Sequence, residues 1–568
     1  MKTKTLRISC AQLSFSVGAI QENKEKILNK LEEAEKISSD IVLFPELSLT
    51  GYPPEDLLLR ESFVGKNFAV LEEIAEFSGK TSGVIGFVDR SIKKQTNDNV
   101  ERNITNAAAI VQNGDVKGIY HKCFLPNYSV FDEARYFDKG LDPSALFWYE
   151  NIAVGINICE DIWIDEGPAE EQVAKGASII LNINASPFDI NKIDQRKEKV
   201  KSKAKKLNVP IVYLNMVGGQ DELVFDGGSF VVDKNGEFIY LAPEFKEDFF
   251  TFDIELEVRD IVSDSSLSLN EKNIKIDPLK SSNNLNKTES MYSALKLGLS
   301  DYVSKNKFKK VLVGLSGGID SALTATIACD ALSPENVIGV AMPSKYNPNS
   351  SLEDAKKLAS NLGIEIKEIN IEDTVENFRN LIGNNTDAKL QNVVDENIQS
   401  RVRGNILMAL SNQLGAMVVS TGNKSEMAVG YATLYGDLVG GFALLKDVYK
   451  ADVYNLANYR NSLSHVIPES TILKEPSAEL SNDQFDSDTL PDYDILDKII
   501  KLYIEEDFSS EKIINSGIDK DIVYDVLEKI DRNEYKRNQV APGVKLTNRA
   551  FGKDRRMPIT NTYKRERN

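Results

Sequence analysis

Apolar and polar positions in the first 260 residues switch repeatedly between the period of a strand and that of a helix. Short apolar runs are typical of buried strands, whereas apolar residues three or four positions apart are typical of a helix. Asn-Gly pairs stand between apolar runs in AAAIVQNGDVKGIY and SFVVDKNGEFIYL, which predicts two β-hairpins. Beside the hairpins, the pattern predicts strands at 6–15, 40–45, 152–158 and 178–183 and a helix at 21–38. Mixed strands with interleaved helices predict a layered α/β sandwich.

The pattern restarts near residue 290 with a predicted helix at 290–306. Four segments follow, which are predicted in turn as a strand, a glycine-rich turn, a helix and a strand: KKVLVGL, SGGID, SALTATIACDAL and NVIGVAMP. This βαβ order predicts a parallel, doubly wound (Rossmann-like) sheet. Further elements are predicted as a helix at 401–414, a strand at 416–422 and a helix at 447–460.

A segment rich in Ser and Asn separates the two regions, DIVSDSSLSLNEKNIKIDPLKSSNNLNK at residues 260–287. This composition is typical of a linker, and we expect it to be ordered in part against one domain. A chain of 568 residues is also too long for one domain. We therefore predict a first domain at 1–260, a linker at 261–289 and a second domain at 290–568.

The composition narrows the possible chemistry. With only two histidines, His121 and His465, a Ser-His-Asp hydrolase or a histidine-rich metal site is nearly excluded. The four cysteines are scattered without a C-x-x-C pair, so neither a disulfide framework nor a zinc site is indicated. A net charge of −18 argues against a general nucleic-acid surface. Without an apolar run of about 18 residues or a good signal peptide, we expect a cytoplasmic protein with no membrane partner.

Three segments of the first domain carry candidate chemistry, each at the end of a predicted strand. FPELSLTGY contains Glu46, YHKCFLPNY contains Lys122 and GINICEDIW contains Cys159. A thiolate is a strong nucleophile toward an amide carbon, but a thiol needs a base or a cation nearby at neutral pH. Glu46 can accept the thiol proton and deliver it to leaving ammonia, while Lys122 can stabilise the oxyanion. Taken singly, however, Cys159 is more often inert core, Glu46 a turn residue and Lys122 a solvated lysine.

The sequence motifs around Glu46, Lys122 and Cys159 favour the catalytic interpretation. Residues 7–256 resemble the nitrilase, or carbon–nitrogen hydrolase, superfamily. The motifs that carry this resemblance are PELSLTGYPPEDLL, LPNYSVFDEARYF, CEDIW and NASPF. The resemblance implies an α-β-β-α sandwich in which Glu46 is the base, Lys122 the catalytic lysine and Cys159 the nucleophile. It also implies that Glu133 is a second glutamate that supports Lys122. The glutamine-binding positions that it implies are Tyr52, Tyr128, Glu160, Ser186 and Lys192.

Phosphate chemistry is indicated by GLSGGIDSA, which follows a predicted strand and opens a predicted helix. Gly317 and Gly318 let the backbone approach a phosphate, and the helix N-terminus presents N–H donors to it. The loop lacks the Gly-Lys-Ser/Thr of a Walker A motif. It resembles the pyrophosphatase-type loop of synthetases that activate a carboxylate as its adenylate and release pyrophosphate from ATP. The resemblance implies that Ser316 and Ser321 hold pyrophosphate and that Asp320 binds Mg²⁺. The implied ATP-binding positions are Gly314, Leu315, Ser316, Gly317, Gly318, Asp320, Ser321, Thr421 and Lys450.

Further words in the second domain resemble the NAD synthetase family over residues 290–563, namely ENIQSRVRGNILMALSN, STGNKSEMAVGYATLYGDLVGGFALLKDVYK and EPSAEL. The resemblance implies that Mg²⁺ is bound by Asp320 and Glu426. The implied deamido-NAD contacts are Arg403, Asn405, Glu426, Asp437 and Lys536. Two loops depart from the family pattern: MPSKYNPNSS has Lys345 in place of an arginine, and SAELSNDQ differs from the usual SAELRPDQ-like run. These departures question local contacts and not the reaction.

The C-terminal tail is basic within an acidic chain, with ten Lys and Arg residues from Lys536 onward against Asp554 and Glu566. One interpretation is a solvated tail. The other is an anion clamp in which Lys536 reaches the dinucleotide. Apolar residues interrupt the charges, so we expect the segment to about residue 558 to be ordered at the synthetase site or at a subunit interface.

Together the resemblances imply one reaction, in which ammonia from glutamine amidates adenylated deamido-NAD to NAD with ATP as co-substrate. They also imply a homo-oligomer that encloses a passage for ammonia. Two alternatives stay open: a pyrophosphate-releasing amidotransferase for a different carboxylate, and an inactive nitrilase-like module attached to an ammonia-using synthetase. The intact triad argues against the second.

Overall fold

The computed structural model describes residues 3–90, 104–258, 267–277, 279–385 and 392–563. The chain folds into two compact units, residues 1–220 with 224–285, and residues 286–568 with 221–223. The predicted domain boundary at residues 260 and 261 lies outside the described residues. Within the predicted linker, residues 267–277 and 279–285 belong to the first unit. The predicted domain limits remain a prediction.

The described part of the first unit contains strands and four helices. The strands are β1 (Thr3–Gln12), β2 (Ile41–Leu43), β3 (Ser82–Arg90), β4 (Ile104–Gln112), β5 (Asp115–His121), β6 (Leu146–Tyr149), β7 (Ile152–Ile158), β8 (Ile179–Asn184), β9 (Ile211–Asn215), β10 (Val217–Gln220), β11 (Leu223–Asp226), β12 (Phe230–Val232), β13 (Phe238–Leu241) and β14 (Asp248–Glu257). The helices are α1 (Ile20–Lys36), α2 (Glu61–Glu76), α3 (Pro168–Ala174) and α4 (Lys192–Leu207).

Two six-stranded sheets form the centre of this unit, in the orders β14-β1-β2-β3-β4-β5 and β13-β12-β9-β8-β7-β6. Apolar side chains of both sheets, such as Ile8 and Leu43 from one and Ile156 and Leu181 from the other, form a common core. Helices α1 and α2 pack on the first sheet, and α3 and α4 on the second. The predicted α-β-β-α sandwich is therefore confirmed.

Burial explains why the central strands read as continuous apolar runs. All seven residues of β7 are buried, because β7 lies between β6 and β8 and is covered on both faces. Such strands lose the alternation that a half-exposed strand shows. Both predicted Asn-Gly hairpins are present, as β4–β5 and β12–β13.

The described part of the second unit contains five strands and twelve α-helices. The strands are β15 (Lys310–Gly314), β16 (Val337–Ala341), β17 (Glu365–Glu368), β18 (Ala416–Ser420) and β19 (Phe442–Ala443). The helices are α5 (Lys287–Lys305), α6 (Ile319–Leu332), α7 (Asn349–Leu362), α8 (Glu372–Gly383), α9 (Asn392–Leu414), α10 (Lys424–Val429), α11 (Lys450–Leu463), α12 (Glu469–Leu473), α13 (Tyr493–Ile500), α14 (Ser510–Asn515), α15 (Lys520–Arg532) and α16 (Glu534–Arg537).

The five strands form one parallel sheet in the order β17-β16-β15-β18-β19. The chain moves outward from β15 to β16 and β17, then returns to the other side of β15 with β18. Ligands of doubly wound sheets bind where the strand order reverses in this way, at the carboxyl ends of the strands. The predicted parallel, doubly wound sheet is confirmed, and its reversal point lies between β15 and β18.

The C-terminal part of the chain folds onto the second unit. Helices α13, α14 and α15 share an apolar core with α10. Beyond α16, the side chains of Val544, Leu546 and Phe551 are buried. The tail therefore packs against the second unit as far as Phe551, and its predicted place at a subunit interface stays a prediction. Of the helices described, none is both long and apolar enough to cross a membrane.

Candidate active sites

Glu46 lies on a tight loop that follows β2, and its carboxylate is buried. A side chain at Gly86 of β3 would overlap the backbone at Pro45 and Leu47, so glycine at this position lets the loop lie directly on the sheet. The carboxylate accepts hydrogen bonds from the Asn106 side chain at 2.8 Å and from the backbone N–H of Ala185 at 3.0 Å. These contacts hold Glu46 in one orientation.

Lys122 follows β5 directly, and its side chain is fully buried between two carboxylates. Its Nζ lies 2.6 Å from Glu46 Oε1 and 2.9 Å from both carboxylate oxygens of Glu133. Burial alone would lower the pKa of Lys122, but Glu133 and Glu46 outweigh it and raise that pKa well above its ordinary range. Lys122 is therefore a permanent cation in this site.

Glu133 begins a short 3₁₀ turn and is held from two sides. Besides Lys122, it accepts a hydrogen bond from the Tyr52 hydroxyl at 2.9 Å. Burial raises the pKa of Glu133, while the Lys122 ammonium opposes that shift. Glu133 thus acts on Lys122 and Tyr52, two residues that the sequence assigns to the same site.

Cys159 is the first residue after β7 and begins a 3₁₀ turn, Cys159–Ile162. Its backbone has a φ of +43°, a conformation that a non-glycine residue adopts only when its surroundings impose it. Burial raises the pKa of the Cys159 thiol well above its ordinary value; Glu46 raises it further, and Lys122 opposes the shift. The thiol is therefore protonated at rest and needs a base at the moment of attack.

The predicted glutamine-binding residues are brought to the same region. The Tyr128 hydroxyl donates to Glu160 Oε2 at 2.9 Å, and the Lys192 ammonium lies 4.6 Å from the centre of the Trp163 ring. A charge on Cys159 would act on both Tyr128 and Lys192. Ser186 is buried, and its N–H donates to Asn215 Oδ1 at 2.9 Å.

Three groups that support this site were not among the predicted residues. They are Asn106, the backbone N–H of Ala185 and the buried carboxylate of Asp161. Asp161 belongs to the motif CEDIW and Ala185 to the motif NASPF, so both motifs could have pointed to these supporting groups. Asn106 lies in strand β4 next to Thr105 and before three alanines, and this local sequence gives no clear signal for a contact with Glu46.

The second site is built on the turn between β15 and α6. Ser316 and Ser321 face each other, with their hydroxyl oxygens 3.2 Å apart, and Ser321 donates to the Gly318 carbonyl at 2.9 Å. Gly317 has a φ of +82°, and a side chain there would overlap the backbone of Ser351. Position 317 therefore requires glycine. The N–H groups of Ser316 and Gly318 and the Ser321 hydroxyl now bond within the turn, and an anion bound there would replace those contacts.

Carboxylates from α6 and α10 meet beside this turn, around Lys450. Its Nζ lies 2.7 Å from Asp320 Oδ2 and 3.1 Å from Glu426 Oε1. Burial lowers the pKa of Lys450, but Asp320 and Glu426 raise it well above its ordinary value. Asn423 donates to Asp320 Oδ1 at 2.8 Å, and its side-chain oxygen accepts the backbone N–H of Glu426 as the cap of α10, so one side chain links Asp320 to the start of α10. Asn423 was not predicted, although it lies in the word STGNKSE.

These two carboxylates fit a magnesium ion. Mg²⁺ is commonly held by one or two carboxylates together with phosphates and water. In the described residues no group of three or more His, Cys, Asp or Glu side chains forms a metal cage. Asp320 and Glu426 instead both bind the Lys450 ammonium. They do so at the edge of the turn between β15 and α6, which is called the phosphate-type turn below. A metal held jointly by protein and nucleotide suits this arrangement.

A cleft of about 480 Å³ opens at the carboxyl ends of β15 and β18. Predicted residues that line it are Gly314, Leu315, Ser316, Gly318, Asp320, Ser321, Arg403, Thr421, Glu426, Asp437, Lys450 and Lys536. Two predicted residues of the second site do not line the cleft. Gly317 lies within the turn, against the backbone of Ser351. Asn405 is exposed on α9, because it lies two residues along the helix from Arg403 and so on another face. Asn405 is therefore not supported as a contact in this cleft.

Arg403, Asp437 and Lys536 are already held by neighbours. Arg403 donates to the Met342 carbonyl at 3.1 Å, and burial lowers its pKa to about 10. Asp437 accepts from the Thr433 N–H at 2.7 Å. Lys536 donates to the carbonyls of Gly430, at 2.7 Å, and Ala432.

The two loops that depart from the family pattern take different positions. Lys345 pairs with Glu372 at 3.3 Å and does not line the cleft. The SAELSNDQ run does line it, and Glu479 binds Ser351 at 2.8 Å and Asn347 at 2.9 Å. The Lys345 departure therefore lies outside the cleft, whereas the second departure borders it.

Comparison with known proteins identifies a family for each of the two regions. A model of the carbon-nitrogen hydrolase family matches residues 7–260, and a model of the NAD synthase family matches residues 291–540. The glutamine-dependent NAD(+) synthetase of Thermotoga maritima is 45% identical and that of Aquifex aeolicus 46% identical, over 99% and 98% of this chain and 99% and 100% of theirs. The solved structure of glutamine-dependent NAD+ synthetase from Acinetobacter baumannii in complex with ADP is 40% identical, with a TM-score of 0.75, over 98% of this chain and 99% of that one.

The two family models match in the same order as the two sites, and relatives above 40% identity align from end to end. The chain therefore belongs to the glutamine-dependent NAD(+) synthetase family.

Proposed function

We propose that this chain amidates deamido-NAD to NAD, using ATP and ammonia that it releases from glutamine. The observation that carries the proposal is the buried arrangement of Glu46, Lys122 and Glu133 beside the Cys159 turn, together with a phosphate-type turn in the second unit. Each arrangement supports one half-reaction, and the family relationship supports their combination.

In the first half-reaction, Glu46 takes the proton of the Cys159 thiol as the sulfur attacks the side-chain amide carbon of glutamine. Lys122 stabilises the negative charge that forms on the amide oxygen. The carbon–nitrogen bond then breaks, and Glu46 returns the proton to the leaving ammonia. Water hydrolyses the resulting γ-glutamyl thioester, with Glu46 as base, to give glutamate and the free thiol.

In the second half-reaction, the nicotinate carboxylate of deamido-NAD attacks the α-phosphorus of ATP, and pyrophosphate leaves. Ser316, Ser321 and the N–H groups of the turn suit the departing pyrophosphate. When bound, Mg²⁺ would be held by Asp320 and Glu426 and would neutralise phosphate charge. Ammonia attacks the adenylated carbonyl carbon, the bond to AMP breaks, and NAD results.

The homo-oligomer and the enclosed ammonia passage belong to the same proposal, as do the cytoplasmic location and the roles assigned to single residues. The mass of the protein in solution tests the first of these. Arg403, Asp437 and Lys536, which line the cleft, support a dinucleotide there, and their side chains would exchange some of the present contacts for the ligand.

The direct test is an assay of the purified chain with ATP, Mg²⁺ and deamido-NAD, with either glutamine or ammonium as nitrogen source. NAD, AMP and pyrophosphate should form in equal amounts with both sources. An enzyme for a different carboxylate would make no NAD with either source. An inactive nitrilase-like module would make NAD with ammonium alone, which would contradict the proposal.

A further inference from the structure

Asp161 joins the two segments that carry Cys159 and Lys122. Its side chain is fully buried, and both oxygens are used. Oδ1 accepts the backbone N–H groups of Cys123, at 3.1 Å, and Phe124, at 2.9 Å. Oδ2 accepts the N–H of Ile158 at 3.0 Å and the Tyr120 hydroxyl at 2.9 Å.

The partners of Asp161 lie next to the reacting groups. Cys123 and Phe124 directly follow Lys122 in the chain, and Ile158 directly precedes Cys159. The Cys159 backbone is in the left-handed region, with φ of +43°, so the turn needs a compensating contact. The bond from the Ile158 N–H supplies one at the base of that turn.

We propose that Asp161 is a positioning residue of the glutaminase, because one carboxylate fixes the Cys159 turn and the Lys122 segment relative to each other. The inference rests on the proposed function, in which Cys159 is the nucleophile. Asp161 does not itself touch the substrate in this account.

The chemistry of the four contacts makes a carboxylate necessary. Every partner of Asp161 is a donor, and three of the four are backbone N–H groups that cannot turn away. An ionised carboxylate only accepts, whereas an amide carries two donor hydrogens. An asparagine side chain at this position would have the same shape, but in either orientation its NH₂ would face at least one backbone N–H. The segments would have to separate to relieve that clash.

The test is Asp161→Asn in the full chain, with Asp165→Asn as the matched control. Asp165 is exposed, a few residues further along, and pairs with Lys199 at 2.8 Å on the surface. The rate of glutamate release should fall on the order of a hundredfold in kcat for Asp161→Asn, because small misplacements of reacting groups have effects of that size. The KM for glutamine should change little, and ammonium-driven NAD synthesis should persist in both variants.

A second readout separates positioning from a loss of folded protein. The charged groups that act on the Cys159 thiol are the carboxylates Glu46, Glu160 and Glu133 and the cations Lys122 and Lys192. Of the two cations, Lys122 lowers the thiol pKa more. If Lys122 is displaced, the rate of Cys159 alkylation by iodoacetamide should shift to higher pH in Asp161→Asn. Loss of the Asp161 charge alone would shift it to lower pH.

Reduced kcat with an alkaline shift supports the inference. Unchanged kcat, an unchanged alkylation profile or a shift to lower pH each overturns it. If Asp161→Asn does not fold, which loss of ammonium-driven synthesis would reveal, Tyr120→Phe replaces it: this variant removes one contact and keeps the charge. A severalfold lower kcat with an alkaline shift then supports the inference, and wild-type behaviour overturns it. Failure of the proposed function itself is distinguishable, because the unmodified chain would then release no glutamate.

Discussion

Lys122 is the residue on which the charge balance of the first site depends. It neutralises part of the charge of Glu46 and Glu133, and all three side chains are buried. Removing one partner from a buried ion pair commonly destabilises a protein by about 3–5 kcal/mol, because the remaining charge loses its compensation. The site therefore keeps its lysine for stability as well as for chemistry.

The state of the Cys159 thiol gives a prediction at this scale. Its pKa is raised, since burial disfavours the thiolate and Glu46 adds to that effect. An ordinary cysteine has a pKa of about 8.5, so iodoacetamide should alkylate Cys159 slowly at neutral pH, with a rate that still increases above about pH 9. The measurement is the alkylation rate against pH without glutamine, with Cys159→Ala to identify the labelled site. A plateau at neutral pH would mean a resting thiolate and would contradict this account.

The raised pKa of the Cys159 thiol also determines the direction in which this group changes the stability of the protein with pH. A group whose pKa is raised in the folded state favours its protonated form there, so the thiol contributes stability below the pKa of the unfolded chain. That contribution is lost progressively as the pH rises above it. Cys159→Ala should therefore reduce the loss of stability on the alkaline side.

Asp320 carries the residue-scale prediction for the second site. It binds Lys450 and Asn423 and lies beside the turn that suits pyrophosphate. Asp320 acts on phosphate charge through the cations that it holds, the Lys450 ammonium and, in the proposed function, Mg²⁺. Loss of groups that stabilise developing charge costs on the order of a hundredfold in rate, so Asp320→Ala should suppress NAD synthesis from glutamine and from ammonium alike. Glutamate release should continue in this variant. Normal ammonium-driven rates would show that Asp320 has no role at the phosphates.

At the scale of elements, the C-terminal tail is held by a buried polar network. Asp447 accepts hydrogen bonds from the N–H groups of Leu546 and Thr547, both at 2.7 Å. Lys424, the first residue of α10, binds Asp447 and the Thr547 hydroxyl. Because α10 also carries Glu426, the tail is tied to the element that presents a candidate metal ligand.

Lys536 of α16 gives the element-scale prediction. Its ammonium lies in the cleft on the carbonyls of Gly430 and Ala432 and faces Asp437. Lys536→Ala should raise the KM for deamido-NAD about tenfold, since a hydrogen bond to a charged group contributes about 1.5 kcal/mol. Glutamate release should be unaffected. Lys520→Ala, an exposed lysine at the start of α15, is the control; equal KM values in the two variants would leave the tail without a binding role.

Elements with a strong local pattern could be predicted from the sequence. Strand β7 and both hairpins were predictable, because a continuous apolar run and an Asn-Gly turn are local signals. Helix α9 is longer than predicted: it includes Asn392, nine residues before the predicted start at 401, and Val394, Ile398 and Val402 already follow the helical spacing. Strand β19 has two residues, too few for any period. Strand β14 was not predicted despite its alternating positions, and its pairing with β1 joins opposite ends of the first unit.

The site residues differ in the same way, because some have a local sequence signal and others do not. Glu46, Lys122 and Cys159 stand in distinctive motifs, so the sequence indicates them. Of the groups that support them, Asp161 and Ala185 lie in such motifs as well, but Asn106 does not, because it reaches Glu46 only through the pairing of β4 within the sheet. Asn405 differs from these residues: it lies in a matching motif, but the helical period turns it away from the cleft, so its assigned contact with deamido-NAD stays a prediction.

At the scale of the whole molecule, the two units carry separate half-reactions. The thiol site lies entirely in the first unit and the phosphate-type turn entirely in the second. Ammonia is the only product of the first site that the second consumes. Loss of the first site should therefore be bypassed by supplied ammonium, whereas loss of the second should not.

The most direct test of this division is NAD synthesis by Cys159→Ala with each nitrogen source. Loss of a nucleophile costs about a thousandfold or more in the reaction that it serves, so glutamine-driven synthesis should be abolished. Ammonium-driven synthesis, measured with the same ATP and deamido-NAD, should remain close to that of the unmodified chain. Equal loss with both nitrogen sources, in a variant that remains folded, would contradict the account.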